Sequence, residues 1–489
     1  MKNFIKLIVL ILLPYSSMAQ MIKFEKVYGG NAEDHGYSVA QAYDKGFCIA
    51  GITTSFGNGI MDAYILRTDS LGIPLWHRTF GGSNIDKAYS IEATTDSGFV
   101  IAGYTNSFGL GGYDMYVIKI NKLGDTVWTK NYGGTDWDFA YSVKQTTDGG
   151  YIIAGGTYGM GAGAEDMYLV KTNANGDTLW TKAYGGIHGD EAKSVKQTSD
   201  GGYILTGVTK SFGDIDGDVY TVKTDMNGDT LWTYKYSDTL EDVSYDVLEN
   251  TIGEYIISCN TKTTANGVER MIIKLSSSGA FINKIIYSGI NDDGINSITQ
   301  SADGRFAFTG YTYSFGFGSG TSDCFIVMGD PFGTLAGFAI GGNKNETGNS
   351  IRSTSDGGYV ICGRSNSYSS MDHIFLIKTD SNGVAPSTPG VIVTDINSIE
   401  RSKNEFKVFP NPSVSSIFIT NNSNSSHNGA FTLTLTDNLG RKMYTQSYHE
   451  NKFSEPVEIN TENLSNGIYF VSISTEFYTQ TQKVIVQHN

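Results

Sequence analysis

A short aromatic-glycine-glycine motif recurs through most of the chain at nearly constant spacing. The motif, or a degenerate form of it, begins at Tyr28, Phe80, Tyr132, Tyr184, Tyr236, Tyr287 and Ile340. The successive intervals are 52, 52, 52, 52, 51 and 53 residues. Such regular spacing indicates stacked copies of one supersecondary unit, and it constrains the fold more than any other feature of the sequence.

Each repeat contains four apolar runs separated by turn residues. In residues 141–184 the runs are YSVKQT, YIIAGG, MYLVKT and TLWTKAY. The first two are separated by Asp148-Gly149-Gly150 and the last two by Asn175-Gly176-Asp177, and both sequences favour tight hairpin turns. Each unit is therefore predicted to be a four-stranded antiparallel meander, whose strands we name A to D in chain order.

Radial packing of such sheets around a channel leaves only short edges, so the repeat predicts an all-β protein built on a β-propeller. Seven A–B–C triplets are present, at about 52 residues per blade. A seventh D strand is found only before the first triplet, in Phe24–Tyr28, because the last triplet ends at Gly383 without one. The sequence thus predicts a seven-bladed propeller over residues 20–383, closed by its N-terminal strand, with the recurring D-strand tryptophans packed between blades.

The N-terminus has the composition of a secretory signal peptide. Lys2 and Lys6 precede an apolar run over residues 7–13, and Ser17 and Ala19 lie three and one positions before a suitable cleavage site. We therefore expect residues 1–19 to be removed and the protein to be secreted or displayed on the cell surface. No later apolar run reaches the length of a transmembrane helix.

The net charge and the cysteines each limit what the chain binds or forms. The net charge of −15 disfavours nucleic acid and anionic membranes as partners. Cys48, Cys259, Cys324 and Cys362 occur singly in different repeats without paired spacing. We expect them to be isolated core residues rather than disulfide partners.

The repeat stops after Gly383, and a second domain is expected beyond a linker. Residues 384–405 are predominantly polar and contain two prolines, which is typical of a linker. Residues 406–489 contain apolar runs within FKVFPNPSVSSIFIT, TLTLTDNLGRKMYTQSY, GIYFVSISTE and QKVIVQHN. These alternating segments predict a small Ig-like β-sandwich.

Four short motifs occur in order in this second domain. They are Pro410-Asn411-Pro412, Asn438-Leu439-Gly440, Leu464 with Gly467-Ile468-Tyr469, and Lys483-Val484-Ile485-Val486 at the C-terminus. In this combination the domain resembles the type A C-terminal sorting domain of the type IX (Por) secretion system of Bacteroidetes. The resemblance implies recognition by an outer-membrane translocon and removal of the domain by a sortase-like peptidase, with release or attachment to surface lipopolysaccharide. The alternative interpretation is an ordinary Ig-like binding module.

The repeats themselves are similar to the uncharacterised propeller repeats of secreted Bacteroidetes proteins. Their C–D hairpins also resemble those of quinoprotein propellers, in which the strands likewise enter a glycine turn and then Leu-Trp. Seven repeats in place of the eight usual for quinone-binding dehydrogenases, together with the lack of adjacent cysteines, argue against a quinone. No cofactor is therefore expected, apart from a candidate calcium ion.

The D–A and B–C loops lie at one end of each blade and are the longer and more variable loops, where binding residues tend to occur. Two sets of seven acidic residues lie in them. The first set is Asp34, Asp86, Asp138, Asp190, Asp242, Asp293 and Glu346. The second set is Asp62, Asp114, Asp166, Asp218, Glu269, Asp323 and Asp372. Two compatible interpretations remain open: the carboxylates brace their loops by accepting backbone N–H bonds, or they form a face for cations or a basic ligand.

One loop of the fourth repeat has the spacing of a calcium-binding loop. Asp214, Asp216 and Asp218 alternate with other residues, although the distal glutamate of an EF-hand is missing. These three residues are the candidate metal ligands.

The catalytic motifs of the common hydrolase families do not occur in the sequence, which contains neither GxSxG nor HExxH. The sequence therefore predicts a secreted or cell-surface binding or adhesion protein whose ligand is a glycan or a protein. The alternative is a polysaccharide hydrolase or lyase built on a propeller. An enzyme of that kind requires one or two blades with unique polar side chains facing the channel, because the fold alone does not specify an activity.

Overall fold

The computed structural model describes residues 21–238, 240–316, 320–333, 335–386, 406–421, 431–437, 441–448, 456–475 and 479–488. Every regular element in these ranges is a β-strand. The chain divides into two compact units, Met1–Asn397 and Ser398–Asn489. The predicted signal peptide and most of the predicted linker lie outside the described residues.

The first unit consists of seven four-stranded antiparallel sheets, and its first strand, β1 (Phe24–Tyr28), belongs to the last of them. Blade 1 contains β2 (Asp34–Gln41), β3 (Phe47–Thr53), β4 (Asp62–Thr68) and β5 (Pro74–Phe80). Blade 2 contains β6 (Asp86–Ala93), β7 (Phe99–Thr105), β8 (Asp114–Ile120) and β9 (Thr126–Tyr132). Blade 3 contains β10 (Asp138–Gln145), β11 (Tyr151–Thr157), β12 (Asp166–Thr172) and β13 (Thr178–Tyr184).

The remaining blades repeat this arrangement, except that the last one takes its fourth strand from the N-terminus. Blade 4 contains β14 (Asp190–Gln197), β15 (Tyr203–Thr209), β16 (Asp218–Thr224) and β17 (Thr230–Tyr236). Blade 5 contains β18 (Asp242–Glu249), β19 (Tyr255–Thr263), β20 (Gly267–Leu275) and β21 (Phe281–Tyr287). Blade 6 contains β22 (Asp293–Gln300), β23 (Phe306–Thr312), β24 (Asp323–Gly329) and β25 (Leu335–Ile340). Blade 7 contains β26 (Glu346–Ser353), β27 (Tyr359–Ser365) and β28 (His373–Thr379), and β1 pairs with β28 at its edge.

The pairing of β1 with β28 closes the ring, as the sequence predicted. Phe24 lies opposite Lys378 and Tyr28 opposite Ile374 in an antiparallel register. The buried Tyr28 hydroxyl donates a hydrogen bond to the Gly72 carbonyl of blade 1 at 2.7 Å. Tyr132 and Tyr184 make the same contact with the C–D turn of their next blade, so the closing strand reproduces the contact that joins the other blades.

The hydrophobic core is divided into clusters between neighbouring blades. Trp76, Trp128, Trp180 and Trp232 are partly buried against the clusters that join blades 1 and 2, 2 and 3, 3 and 4, and 4 and 5. The prediction that these tryptophans pack between blades is confirmed. The four cysteines are buried and free, also as expected.

In most blades, a serine in strand A forms a hydrogen bond with the A strand of the next blade. The Ser38 hydroxyl accepts a hydrogen bond from the Ile91 N–H at 3.3 Å, and Ser90 accepts one from the Val143 N–H at 3.2 Å. Blade 5 carries Asp246 at this position instead. These bonds satisfy backbone N–H groups that the inner edges of the sheets leave unpaired.

The second unit is a two-sheet sandwich around a core of its own. One sheet has the strand order β29 (Phe406–Phe409), β30 (Ser416–Asn421) and β33 (Val457–Asn460). The other has the order β32 (Lys442–Tyr448), β31 (Phe431–Asp437), β34 (Gly467–Thr475) and β35 (Thr479–Val486). Among the described residues, no helix has the length and apolar character needed to span a bilayer.

Deletion of residues 22–28 should lower the melting temperature sharply and promote association, because it exposes the unpaired edge of β28. Melting curves and size-exclusion chromatography measure both effects. Lys23→Ala is the control, since it removes only the ion pair to Asp380 at 3.4 Å and leaves the strand in place. A deleted protein that melts at the wild-type temperature as a monomer contradicts ring closure by β1.

Candidate functional site

The first set of predicted acidic residues lies beneath the loops and holds them in place. All seven side chains are fully buried. Asp86 is typical: it accepts hydrogen bonds from the Thr105 hydroxyl, from the Ser107 hydroxyl at 2.7 Å and from the Gly82 N–H at 2.8 Å. One carboxylate thereby joins the D–A loop, the end of strand B and the B–C loop. This placement favours the bracing interpretation over a ligand-binding face, because the carboxylates do not reach solvent.

The second set is also buried, with one exception. Asp62, Asp166 and Asp218 accept backbone N–H bonds from their own B–C loops, at 2.9, 2.8 and 2.7 Å. In blade 7 the equivalent residue is His373 and not Asp372, because Ser365 pairs with His373 as Thr53 pairs with Asp62. The assignment of Asp372 to this set is therefore corrected by one residue.

The three candidate calcium ligands do not converge. Asp214 and Asp216 are exposed, whereas Asp218 is buried and accepts a hydrogen bond from the Asp214 N–H. Within the described part of the chain, no group of three or more His, Cys, Asp or Glu side chains is placed to hold a metal ion.

At the loop end of blades 1 to 3, eight aromatic side chains form one connected group beside the channel. We call it the aromatic cluster, and its members are Tyr37, Tyr89, Tyr104, Tyr113, Trp137, Phe139, Tyr141 and Tyr158. Tyr37 stacks on Tyr89 with ring centroids 4.7 Å apart, and Tyr104 meets Phe139 edge to face at 5.0 Å. Trp137 and Tyr158 form its outer border, with 50% and 43% of their surface exposed.

Tyr37, Tyr89 and Tyr141 occupy one repeated position, which Tyr245 also holds in blade 5, whereas other members of the aromatic cluster occupy positions that differ from blade to blade. In the other six blades, the position of Tyr104 is held by Ile52, Gly156, Val208, Asn260, Tyr311 and Arg364. The bracing acids recur in all seven blades, whereas no other blade carries Trp at the position of Trp137 or Phe at the position of Phe139. A residue that the fold of a blade requires is expected in most blades. The positions that vary between blades are therefore the ones that can be used for binding.

Charged side chains border the cluster on the side of blade 4. Tyr158 donates a hydrogen bond to Glu165 at 3.2 Å. Lys193 lies 2.6 Å from a Glu191 carboxylate oxygen and 4.5 Å from the ring centroid of Tyr141. Burial, and next the charge of Glu191, raises the pKa of Glu165 to about 7. The border therefore offers two carboxyl groups and an amine to a polar ligand.

Below the aromatic cluster, the channel is lined by charged residues that the sequence analysis did not single out. Lys144 pairs with Glu92, and Lys196 lies 3.2 Å from Asp246. Burial lowers the pKa of Lys144 to about 8, against the opposing effect of Glu92. Burial alone raises the pKa of Asp246, but the charges of Lys196 and Arg352 outweigh it and bring the pKa to about 2. The pairs cross blade boundaries and neutralise one another.

In the second unit, the predicted sorting residues meet at one place. The Asn411 side chain donates to the Lys483 carbonyl at 3.0 Å and accepts from the Ile485 N–H at 2.8 Å. The segment Pro410-Asn411-Pro412 is thus fastened to the C-terminal strand. Gly467 begins β34, and the buried Tyr469 donates to the Ser465 carbonyl at 2.9 Å. Gly440 lies outside the described residues.

Residues 407–487 match the secretion system C-terminal sorting domain family. The C-terminal domain is therefore a type IX sorting domain, and it directs the protein to the cell surface or the medium through contact with that secretion machinery. The regulatory protein FlaEY of Caulobacter vibrioides is 26% identical to this chain over 191 residues, which are 33% of this chain. The match spans only 20% of that relative's length.

Several solved structures are similar to the chain at low identity. A protein of unknown function from Dyadobacter fermentans has a TM-score of 0.42 at 10% identity, over 73% of this chain and 97% of its own. YCF48 bound to a D1 peptide has a TM-score of 0.42 at 11% identity, over 76% and 99%. Puromycin hydrolase has a TM-score of 0.46 at 11% identity, over 80% and 58%. The blade count rests on the strand pairing and not on these scores.

Glu165→Gln should change how stability depends on pH. The ordinary pKa of the side chain is 4.5 and its pKa in the folded protein is about 7. The folded state therefore binds more protons than the unfolded state between these values, and the contribution of Glu165 to stability falls as pH rises from about 4.5 through 7. The variant lacks this loss, so its unfolding free energy should rise relative to wild type across that range. Denaturant titrations at pH 4.5 and 7.5 test the difference, and parallel profiles for the two proteins contradict the raised pKa.

Proposed function

We propose that the protein is a glycan-binding module of the cell surface or the secreted fraction, and that the aromatic cluster is its binding site. The observation that carries this proposal is the position of Trp137 and Tyr158, half exposed at the border of eight mutually packed rings. Soluble proteins rarely leave such a group of large rings open to solvent unless it meets a partner.

The chemistry of the cluster matches that of a sugar ring. The C–H groups on one face of a pyranose carry partial positive charge and are attracted to the negative face of an aromatic ring. The hydroxyl groups of the sugar need hydrogen-bond acceptors and donors at the edge of the aromatic cluster. Glu165, Glu191 and Lys193 lie at that edge. The rings of the cluster are held by their neighbours, so little conformational entropy is lost when a ligand binds.

The charge of the protein restricts the class of glycan. With a net charge of −15, the protein repels strongly anionic polymers at a distance. A neutral polysaccharide, or one with few charged groups, is the ligand class that fits both this charge and the mixed charges beside the cluster. Binding of such a polymer by a protein carried on the cell surface amounts to adhesion.

The sorting domain supports a proposal for how the binding module reaches the cell surface. We propose that the outer-membrane translocon recognises the domain and that a sortase-like peptidase then removes it. Mass spectrometry of the secreted product should find a C-terminus between residues 384 and 405. Peptides that extend through Asn489 in the mature surface fraction contradict this processing.

A polysaccharide hydrolase is the second candidate, and Glu165 is the observation that favours it. A carboxyl group with a pKa near 7 is protonated at the pH at which a general acid works, and Glu191 lies near enough to influence it. In this alternative Glu165 gives its proton to the glycosidic oxygen as the bond to the anomeric carbon breaks, and Glu191 takes a proton from the water that attacks that carbon.

Trp137→Ala should weaken glycan binding at least tenfold, equivalent to about 1.4 kcal/mol, because it removes the exposed platform. A glycan array followed by titration of the best ligand measures the effect. Tyr43→Ala is the matched control, since Tyr43 is an aromatic residue 62% exposed in the A–B turn at the opposite end of blade 1. Equal affinity of the Trp137 variant and wild type, or the absence of any glycan signal, contradicts the proposal.

The glycan that binds best on the array also distinguishes the binding module from the hydrolase. Incubation of the best-bound glycan with wild type and with Glu165→Gln, followed by product analysis, reveals any hydrolysis. Intact glycan in both samples favours the binding module. Shortened products that appear with wild type only favour the hydrolase.

A further inference from the structure

Blades 5 and 6 form a cavity of about 430 Å³ that is open to solvent on one side and shares no lining residue with the channel or the aromatic cluster. Its wall is formed largely by apolar side chains of both blades. The main ones are Ile272 of blade 5 and Ile295, Phe308, Phe325 and Val327 of blade 6. Among the described residues that line it, Arg270 of β20 is the one charged side chain. A volume of this size lies within the range of small-molecule binding sites, about 300–1,000 Å³.

The cavity arises because two repeated side chains are missing at this interface. In blades 1 to 4 the D-strand tryptophan packs over the turn glycine of the next blade, as Trp232 does over Gly279. Blade 5 has Asn283 at this position, opposite Lys274 as Trp232 is opposite Lys223. The glycine that a tryptophan there would cover is Gly333, which borders the cavity. Gly337 of β25 likewise lacks the side chain that Thr233 supplies in blade 4.

Arg270 stands where the sister blades carry apolar residues. The equivalent residues are Ala63, Met115, Met167, Val219, Cys324 and Ile374. Arg270 is only 9% exposed, and its Nε has no hydrogen-bond partner among the described residues. A guanidinium buried with an unused donor is costly unless something pairs with it.

The described residues use the hydrogen-bond donors of Arg270 only in part. The Arg270 Nη2 is 3.5 Å from an Asp293 carboxylate oxygen, at the outer limit of a hydrogen bond. Asp293 already accepts the Thr312 hydroxyl at 2.6 Å on its other oxygen. The rings of Phe315 and Phe325 lie 5.1 and 5.3 Å from the guanidinium carbon, and the fully buried carboxyl group of the neighbouring Glu269 also acts on the guanidinium through its charge. Arg270 therefore retains donors for an anion inside an apolar cavity.

We propose that this cavity binds a small amphipathic carboxylate, such as a medium-chain fatty acid. The apolar body occupies the space that the missing tryptophan leaves between the blades. The carboxylate pairs with the planar guanidinium of Arg270, a geometry in which arginine forms two parallel hydrogen bonds. The site is independent of the aromatic cluster and of any glycan bound there.

Isothermal titration of the full-length protein with decanoate, and with decanol as the uncharged analogue, tests the proposal. Wild type should bind decanoate at least tenfold more tightly than decanol. Arg270→Met introduces the residue that blades 2 and 3 carry at this position. It should lower decanoate affinity to that of decanol without changing decanol binding, which also verifies that the cavity is intact.

Asn283→Trp restores the side chain found in blades 1 to 4 and should weaken both ligands, because the indole covers Gly333. The same titrations show whether the proposal fails. It is contradicted if wild type binds neither compound, if it binds both equally, or if Arg270→Met binds decanoate as wild type does. A variant that does not fold is replaced by Arg270→Lys, which keeps the charge but not the planar pair of donors and should lose most of the preference for decanoate.

Discussion

Antiparallel pairing of β1 with β28 is the interaction on which the propeller depends, because it converts a row of seven sheets into a ring. Three side-chain contacts reinforce the same junction between blades 7 and 1. Gln41 accepts a hydrogen bond from the Ser355 N–H at 2.8 Å, Asn349 donates to the Gly36 carbonyl at 2.8 Å, and Tyr28 donates to Gly72 at 2.7 Å. The contacts of Gln41 and Asn349 join residues 314 and 313 positions apart in sequence, so they connect the first and last blades directly.

Within the closed ring, repeated and unrepeated residues have different roles. The repeated carboxylates, of which Asp86 is an example, are buried under the loops and join three segments of one blade. Several positions above them vary, and in blades 1 to 3 residues at these positions join repeated tyrosines to form the aromatic cluster. A rigid and repeated support thus carries a surface in which Trp137 and Phe139 have no identical counterpart in the other blades. The cavity beside Arg270 is also formed by unrepeated residues, since it lies where blade 5 departs from the repeat.

Much of the fold was predictable from sequence because its signals are local. The turn residues and the 52-residue spacing give the meander, and the count of D strands gives the closing strand. The register of blade 7 was not predictable, since Asp372 and His373 are adjacent and only the pairing of Ser365 separates them. Nor was the aromatic cluster, because the contact between Tyr104 and Phe139 depends on how two blades face each other. A position-by-position comparison of the repeats does reveal its unrepeated members.

The central claim is that the repeated residues support the ring and the unrepeated residues at the channel mouth bind the ligand. A glycan array probed with one multiple variant tests it most directly. In this variant Tyr104, Trp137, Tyr158 and Glu165 are replaced by the equivalent residues of blade 5, which are Asn, Glu, Lys and Val. The account predicts a folded protein with the wild-type melting temperature and no glycan signal. A variant that retains the wild-type array profile contradicts it.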